Sequence, residues 1–214
     1  MQKKIGKLIL ILGPSGVGKG TLISLLKKRK NPEKYFFPIS CTTRKPRLIK
    51  ETGEFEKDGE NYFFISKEEF EKKIENGDFL EYAHVHGETY YGTLKKPILD
   101  AINEGKIVIR EIDVQGFETI CKNFDKTLLG SIFIDIPPLH LLKNRIRARA
   151  PISEKELQKR MESMQKELVY RDEVDFIVKN IENGVEEMYE DLEFKIGVIS
   201  DEDLKSKIKK QYEK

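Results

Sequence analysis

The chain has 214 residues, with 39 Lys and Arg against 37 Asp and Glu and a formal net charge of +2 at pH 7. This length allows one domain, or one core with a smaller inserted lobe. The balanced charge gives no electrostatic reason to expect a nucleic-acid or membrane partner, and the longest apolar run is far shorter than the roughly 20 residues of a membrane span. The two cysteines form no CxxC pair. We therefore expect a cytoplasmic protein with reduced thiols and no obligate protein partner.

Short apolar runs alternate with helical, charge-rich segments along the chain. Leu8–Leu12 is unbroken and ends at Gly13, which predicts a parallel strand buried on both faces. Residues 19–30 follow with the apolar spacing of a helix. Three further buried strands are predicted, at residues 107–109, 131–134 and 176–178. The alternation predicts an α/β fold, a central parallel sheet flanked by helices.

Residues 40–93 differ in composition from the rest of the chain, because they are rich in turn-forming residues and contain aromatic clusters that favour short strands. We expect them to form a small β-rich lobe inserted into a core made of residues 1–39 and 94–214. A helix is predicted over residues 153–170, with one apolar stripe formed by Leu157, Met161, Met164 and Leu168. The arginine-rich segment at about 140–160 predicts a helical lid, and the tail from Ser200 to Lys214 predicts an exposed charged helix without chemistry.

A glycine-rich segment follows the first strand and fits the pattern G-x-x-x-x-G-K, in which backbone N–H groups turn inward around phosphate oxygens. The predicted phosphate-binding residues are Gly13, Pro14, Ser15, Gly16, Val17, Gly18, Lys19, Gly20 and Thr21. Gly20 stands where the pattern has Ser or Thr, so the usual hydroxyl ligand of Mg²⁺ is missing. We expect the metal to be held mainly by nucleotide phosphates and water, because Mg²⁺ keeps its hydration shell readily.

Two arginines three residues apart, Arg44 and Arg47, flank a proline that stiffens the backbone, an arrangement suited to holding one phosphate. With the loop above, this motif belongs to an ordered series over about residues 7–195: GPSGVGKG, SCTTRKPR, the GE…G…Y…F segment from Gly53 to Phe64, FLEY, YYGT and EIDVQG. In this order the motifs resemble those of guanylate kinases, the P-loop nucleoside monophosphate kinases that phosphorylate GMP with ATP.

The resemblance implies a role for each matching residue. The glycine-rich loop would bind Mg·ATP, and the catalytic positive charge would come from Lys19, Arg145, Arg149 and Arg160. The GMP phosphate would be held by Arg44, Arg47, Tyr62 and Tyr91. The base would be recognised by Ser40, Glu81 and Thr93, with Glu81 accepting from the guanine N1–H and amine. Glu111 would contact guanine or ribose, and Asp113 would lie near the metal or the acceptor phosphate.

This sequence departs from the family pattern at three further places. The loop Leu48–Asn61 is longer than the usual spacing, Arg110 stands within a strand expected to be apolar, and Ala150 replaces a glycine of the lid. The first departure could shift Tyr62, and the sequence offers no explanation of the second.

Three alternative functions stay open at this point. The Lys19-Gly20-Thr21 ending resembles adenylate kinases, although Glu81 with Thr93 favours guanine. A guanylate-kinase-like binding module without activity is a second alternative, against which the intact phosphate loop counts. A P-loop switch or ATPase without an acceptor site is the third, and it leaves Arg44 and Arg47 without a role.

Overall fold

The computed structural model describes residues 5–49, 52–85, 89–149 and 152–201, which contain nine strands, seven α-helices and two short 3-10 helices, Lys126–Leu128 and Leu168–Asp172. The strands are β1 (Lys7–Leu12), β2 (Tyr35–Phe36), β3 (Cys41–Thr42), β4 (Phe63–Phe64), β5 (Phe79–Val85), β6 (Thr89–Leu94), β7 (Ile107–Glu111), β8 (Leu129–Ile134) and β9 (Phe176–Val178). The helices are α1 (Lys19–Arg29), α2 (Lys67–Glu75), α3 (Lys95–Asn103), α4 (Val114–Asn123), α5 (Leu139–Arg149), α6 (Glu154–Glu167) and α7 (Val185–Ser200).

The core is a five-stranded sheet in the order β2-β7-β1-β8-β9, and all its pairings are parallel. Residues Leu8–Leu12 of the central strand are completely buried. Alternate side chains of this strand enter two separate apolar clusters: Ile9 packs with residues of α1 and α7, and Leu10 packs with residues of α3 and α4. The predicted α/β fold, with its parallel sheet buried on both faces, is confirmed.

The segment predicted to form an inserted lobe contains a second sheet, in the order β4-β3-β6-β5, with α2 beside it. Phe70 of α2 is fully buried and stacks on Phe79 and Tyr90, with ring centroids 4.3 and 5.1 Å apart. Gly92 faces the same rings, because a Cβ atom there would lie 2.8 Å from Phe79. This small aromatic core fixes β5 and β6 against each other, and these strands carry several of the predicted site residues.

The C-terminal third departs from the sequence expectation in one helix. The apolar stripe of α6 is confirmed, with Leu157 and Met164 buried. Sequence patterning did not single out α7, which buries Leu192 and Ile196 against the core sheet. The charged helix predicted over Ser200 to Lys214 lies outside the described part of the chain, apart from Ser200, which ends α7, and Asp201, which has an extended backbone.

Candidate active site

The glycine-rich segment connects the end of β1 to the start of α1, at the carboxyl edge of the parallel sheet where α/β proteins bind ligands. Gly13, Gly16 and Gly18 have φ values of 135°, 90° and 106°, in the left-handed region that only glycine adopts readily. A Cβ atom on Gly13 would lie 2.5 Å from the carbonyl oxygen of Ile134. The loop conformation therefore requires these glycines, as is typical of loops whose backbone N–H groups surround a phosphate.

Lys19 folds back over this loop. Its Nζ donates to the carbonyl oxygens of Gly13 at 2.5 Å and Pro14 at 3.1 Å, and it lies 3.6 Å from a carboxylate oxygen of Glu111. A cavity of about 350 Å³ opens here, which we call the phosphate cavity; it is lined by Lys19 and the loop glycines together with Glu111, Asp113 and Glu167. A cation among oriented N–H groups at a helix N-terminus is a site for phosphate.

Gly20 and Thr21, the two residues after Lys19, have different surroundings. Gly20 lines the same cavity, and a Cβ atom built on it would meet nothing within 4 Å. Thr21 instead faces a second cavity of about 350 Å³, which we call the base cavity and whose wall includes Val17, Arg145 and Met188. The second cavity is bordered mainly by apolar surface, which suits a flat aromatic base next to the phosphate loop. The Thr21 hydroxyl does not replace the missing Gly20 side chain.

Three carboxylates border the phosphate cavity, and Glu167 is one that the sequence analysis missed. Burial raises its pKa, and the charge of Lys19 acts in the opposite direction. Glu167 is the last residue of α6 and lies three residues after the buried Met164. That helical spacing, which places an acidic residue on a buried face, is the signal by which it could have been found.

Asp113 caps the N-terminus of α4, where one of its carboxylate oxygens accepts from the backbone N–H of Gly116 at 2.8 Å. Its other carboxylate oxygen has no hydrogen bond to the residues described, and the side chain borders the phosphate cavity. In the described ranges, no three His, Cys, Asp or Glu side chains are grouped to enclose a metal. These donors fit Mg²⁺ held by one or two carboxylates together with nucleotide phosphates, the arrangement that Mg²⁺ commonly adopts.

A smaller cavity of about 200 Å³, which we call the acceptor cavity after the role predicted for its residues, lies between the core sheet and the second sheet. It is lined by Ser40, Tyr62 and Glu111 of the predicted set, and also by Lys27, Asn61 and Arg110. Glu111 therefore borders both this cavity and the phosphate cavity.

Arg44 is held from several sides. Its guanidinium donates to both carboxylate oxygens of Glu56 at 2.5 and 2.9 Å, and its Nε donates to the hydroxyl of Tyr91 at 3.0 Å. It also lies over the ring of Tyr62, 4.8 Å from the centroid. The two tyrosine rings meet edge to face at 5.9 Å. Three predicted phosphate-binding residues are thus in direct contact, with Glu56 as an addition from the long loop.

Arg47, the fourth member of that set, is exposed at the start of the same loop. Its backbone N–H donates to Glu56 at 2.8 Å. Glu56 therefore contacts both arginines of the motif. These contacts hold the pKa of the Glu56 carboxyl at about 2, below its usual value. The first cause of that low pKa is the hydrogen bond from Arg44.

Glu81 and Thr93 lie opposite each other on β5 and β6. The buried Thr93 hydroxyl donates to Glu81 Oε1 at 2.5 Å. Arg110 of β7 donates to the same oxygen at 3.3 Å. Glu81 is not among the residues that line the acceptor cavity, and it connects to that cavity through Arg110.

The arginines predicted to close over a nucleotide lie on α5 and α6. Arg145 borders the base cavity and donates to Asn180 Oδ1 at 3.3 Å. Asn180 in turn donates to the carbonyl oxygens of Val17 and Asp135, at 2.8 and 3.0 Å. Arg160 is exposed and its Nε lies 3.4 Å from a carboxylate oxygen of Glu156, while the side chain of Arg149 and all of Ala150 lie outside the described part. Asn180 is a second residue that the sequence analysis missed.

Comparison with known proteins assigns this arrangement to a family. The family model described as guanylate kinase matches residues 5–197. The guanylate kinase of Clostridium tetani is 43% identical over 175 residues, 82% of this chain and 78% of that protein. That of Carboxydothermus hydrogenoformans is 39% identical over 202 residues, 94% of this chain and 91% of that protein.

A solved structure supports the same assignment. The crystal structure of guanylate kinase from Anaplasma phagocytophilum matches with a TM-score of 0.65 and 26% identity, over 92% of this chain and 87% of that one. Among the described residues, no helix has the length and apolar character needed to cross a membrane.

Proposed function

This chain belongs to the guanylate kinase family, and we propose that it transfers the γ-phosphoryl group of ATP to the phosphate of GMP, giving ADP and GDP. The observation that carries the proposal is the position of Glu111, which borders both the phosphate cavity of the glycine-rich loop and the acceptor cavity. Two nucleotides bound in these cavities would bring their phosphates together beside Lys19. We assign the enzyme to cytoplasmic purine nucleotide metabolism.

The donor nucleotide lies with its phosphates on the loop from Gly13 to Thr21 and its base in the cavity beside Val17 and Met188. In this bound state Lys19 leaves its carbonyl partners and neutralises charge on the transferring phosphoryl group. Asp113 is the carboxylate best placed to hold Mg²⁺, because one of its oxygens is not used in capping α4. The metal would supply positive charge to the β- and γ-phosphates.

The acceptor phosphate is held by Arg44, Arg47, Tyr62 and Tyr91, of which three are already in contact. The guanine base is held by Ser40, Glu81 and Thr93. A carboxylate beside a hydroxyl donor pairs with the N1–H and amine of guanine, and adenine offers no such pair of donors. An unpaired carboxylate here is costly, so the site rejects AMP without a steric clash.

In the chemical step, an oxygen of the GMP phosphate attacks the γ-phosphorus in line, and the bond to the β–γ bridging oxygen breaks to release ADP. No general base is needed, because a phosphate monoester with a second pKa near 6 is mostly ionised at pH 7. Residues 40–93 and the lid at about 140–160, with Arg145, Arg149 and Arg160, close over the substrates. Closure excludes water, which would otherwise take the phosphoryl group.

Formation of ADP from Mg·ATP tests the proposal, with GMP, AMP, UMP and no acceptor compared in parallel. We expect turnover that depends on GMP and falls at least about a hundredfold in Lys19→Met. Lys28→Met, which changes an exposed lysine of the same helix, is the matched control and keeps activity. Preference for AMP would indicate the adenylate-kinase-like alternative, and GMP binding without turnover would indicate a binding module.

A further inference from the structure

Arg110 is the one charged residue among the first four of β7, where the sequence pattern predicts an apolar side chain. Its neighbours Val108 and Ile109 are buried in the two apolar clusters of the core. The Arg110 side chain is 19% exposed, and Glu81, its ion-pair partner, is 11% exposed. A cation placed so deeply in a parallel sheet is costly unless its donors are used.

The donors of Arg110 are only partly used in the structure. Nη2 donates to Glu81 Oε1 at 3.3 Å. Nε is buried and has no hydrogen-bond partner among the described residues. Nη1 also has no partner among them, and the side chain lines the acceptor cavity together with Ser40 and Tyr62. The guanidinium therefore has spare donors beside the carboxylate assigned to the base and within the cavity assigned to the acceptor.

Guanine presents donors and an acceptor in a fixed order along one edge: the amine, N1–H and O6. A carboxylate matches the first two, and a guanidinium next to that carboxylate matches O6, an acceptor that arginine commonly contacts. Adenine carries an amine at the O6 position, so an arginine there would face a second donor. The Glu81–Arg110 pair is complementary to guanine along this whole edge.

We propose that Arg110 is a specificity-determining residue that donates a hydrogen bond to O6 of the acceptor guanine and orients Glu81 for the N1–H and amine. The inference rests on the proposed function. It assigns to this chain a base contact that the expected apolar residue could not make. Because the contact involves the base only, Arg110 acts on binding of the acceptor nucleotide and leaves the ATP site and the maximal rate largely unchanged.

Acceptor analogues test the contact in the unaltered chain. 6-Thio-GMP keeps N1–H and the amine but replaces O6 by a weaker acceptor, and 7-deaza-GMP changes only N7. We expect KM for 6-thio-GMP to exceed KM for GMP by about tenfold, and 7-deaza-GMP to behave like GMP. Equal KM values for GMP and 6-thio-GMP overturn the proposal, as does a penalty confined to 7-deaza-GMP.

Substitution then assigns the effect to Arg110. In Arg110→Met we expect KM for GMP to rise about tenfold and the difference between GMP and 6-thio-GMP to disappear, with kcat and KM for ATP retained. Arg110→Lys keeps a donor and restores part of the preference. Lys27→Met removes another cation of the same cavity and keeps the preference for GMP over its thio analogue.

Different results would contradict the proposed function and the role of Arg110. No GMP-dependent ADP formation by the unaltered chain contradicts the proposed function. Full GMP turnover, with the preference over 6-thio-GMP unchanged in Arg110→Met, contradicts only the role of Arg110.

Discussion

Glu56 holds Arg44 through two hydrogen bonds between its carboxylate and the guanidinium, 2.5 and 2.9 Å long. The side chains are 15% and 10% exposed, so water screens the pair poorly. Two charged groups buried together in this geometry fix each other's orientation. Glu56 comes from the long loop between Arg47 and Tyr62, and this contact ties that loop to the residues proposed to hold the acceptor phosphate.

The substitution Glu56→Gln should therefore weaken GMP binding. The guanidinium of Arg44 loses its bidentate partner and samples more orientations, and we expect KM for GMP to rise about tenfold with kcat at saturating GMP little changed. Steady-state kinetics with varied GMP measure this. Glu54→Gln is the matched control, because Glu54 is an exposed residue of the same loop and its carboxylate pairs with Lys57. A KM below the unaltered value would mean that Glu56 competes with the phosphate for Arg44.

The same ion pair makes stability depend on acid pH. The Arg44 guanidinium, with the Arg47 N–H, lowers the pKa of Glu56 from 4.5 to about 2. Since the folded-state pKa lies below the unfolded one, the stabilising contribution is complete above about pH 4.5 and is lost as the pH falls toward 2. We expect Tm to fall less steeply between pH 5 and 3 in Glu56→Gln than in the unaltered chain. If Tm falls by the same amount between pH 5 and 3 in the two proteins, the prediction is refuted.

The sequence predicted the fold well because its signals are local. Leu8–Leu12 is a continuous apolar run followed by a glycine loop, and such a run has few alternatives to a buried parallel strand. The helix α7 was not singled out, because charged and apolar residues mix along it and its burial depends on packing against the core sheet.

The candidate site was less predictable, because several of its contacts join residues distant in sequence. Arg110 and Glu81 lie 29 residues apart and meet only when the two sheets face each other. Asn180 reaches Val17 across 163 residues. Motif spacing predicts which side chains bind a phosphate. It carries no information about residues such as Arg110 and Asn180, which contact Glu81 and the phosphate loop from distant parts of the chain. The individual binding roles stay predictions.

Thr93 offers a test of the proposed role of Glu81 in base binding, and the test leaves the charge of the Glu81 carboxylate unchanged. Its hydroxyl donates to Glu81 Oε1 at 2.5 Å within a completely buried position. Thr93→Val keeps the shape but removes the donor, and hydrogen bonds to charged groups contribute about 1.5–3 kcal/mol. We expect KM for GMP to rise about tenfold and KM for ATP to stay the same. Thr93→Ser, which keeps the hydroxyl, should stay close to the unaltered enzyme, and an equal loss in both variants would exclude the hydroxyl as the cause.

Gly20 allows the missing metal ligand to be restored. A Cβ atom there meets nothing within 4 Å and borders the phosphate cavity, so Gly20→Ser should fold and place a hydroxyl beside Mg²⁺. We expect the Mg²⁺ concentration for half-maximal activity to fall on the order of tenfold, the scale on which groups around a metal act. Gly20→Ala gains helix propensity without the hydroxyl and should leave the Mg²⁺ requirement unchanged. A similar shift in both variants would mean that helix stability, rather than a metal ligand, is responsible.

Asn180 tests whether the phosphate loop depends on support from outside the motif. Its amide donates to the carbonyl oxygens of Val17 and Asp135, and its oxygen accepts from Arg145. Asn180→Ala leaves both carbonyls without this donor, and we expect a loss of about 1–3 kcal/mol in the free energy of unfolding together with a higher KM for ATP.

Asn180→Asp separates the two functions of this amide, because it removes the donors and keeps an acceptor for Arg145. We expect Asn180→Asp to lose thermal stability as Asn180→Ala does, but to retain more of the ATP affinity that depends on Arg145. Asn144→Ala, at an exposed position of α5, should change neither quantity. If Asn180→Ala melts at the temperature of the unaltered chain with an unchanged KM for ATP, the loop holds its shape through its glycines alone, and support from Asn180 is excluded.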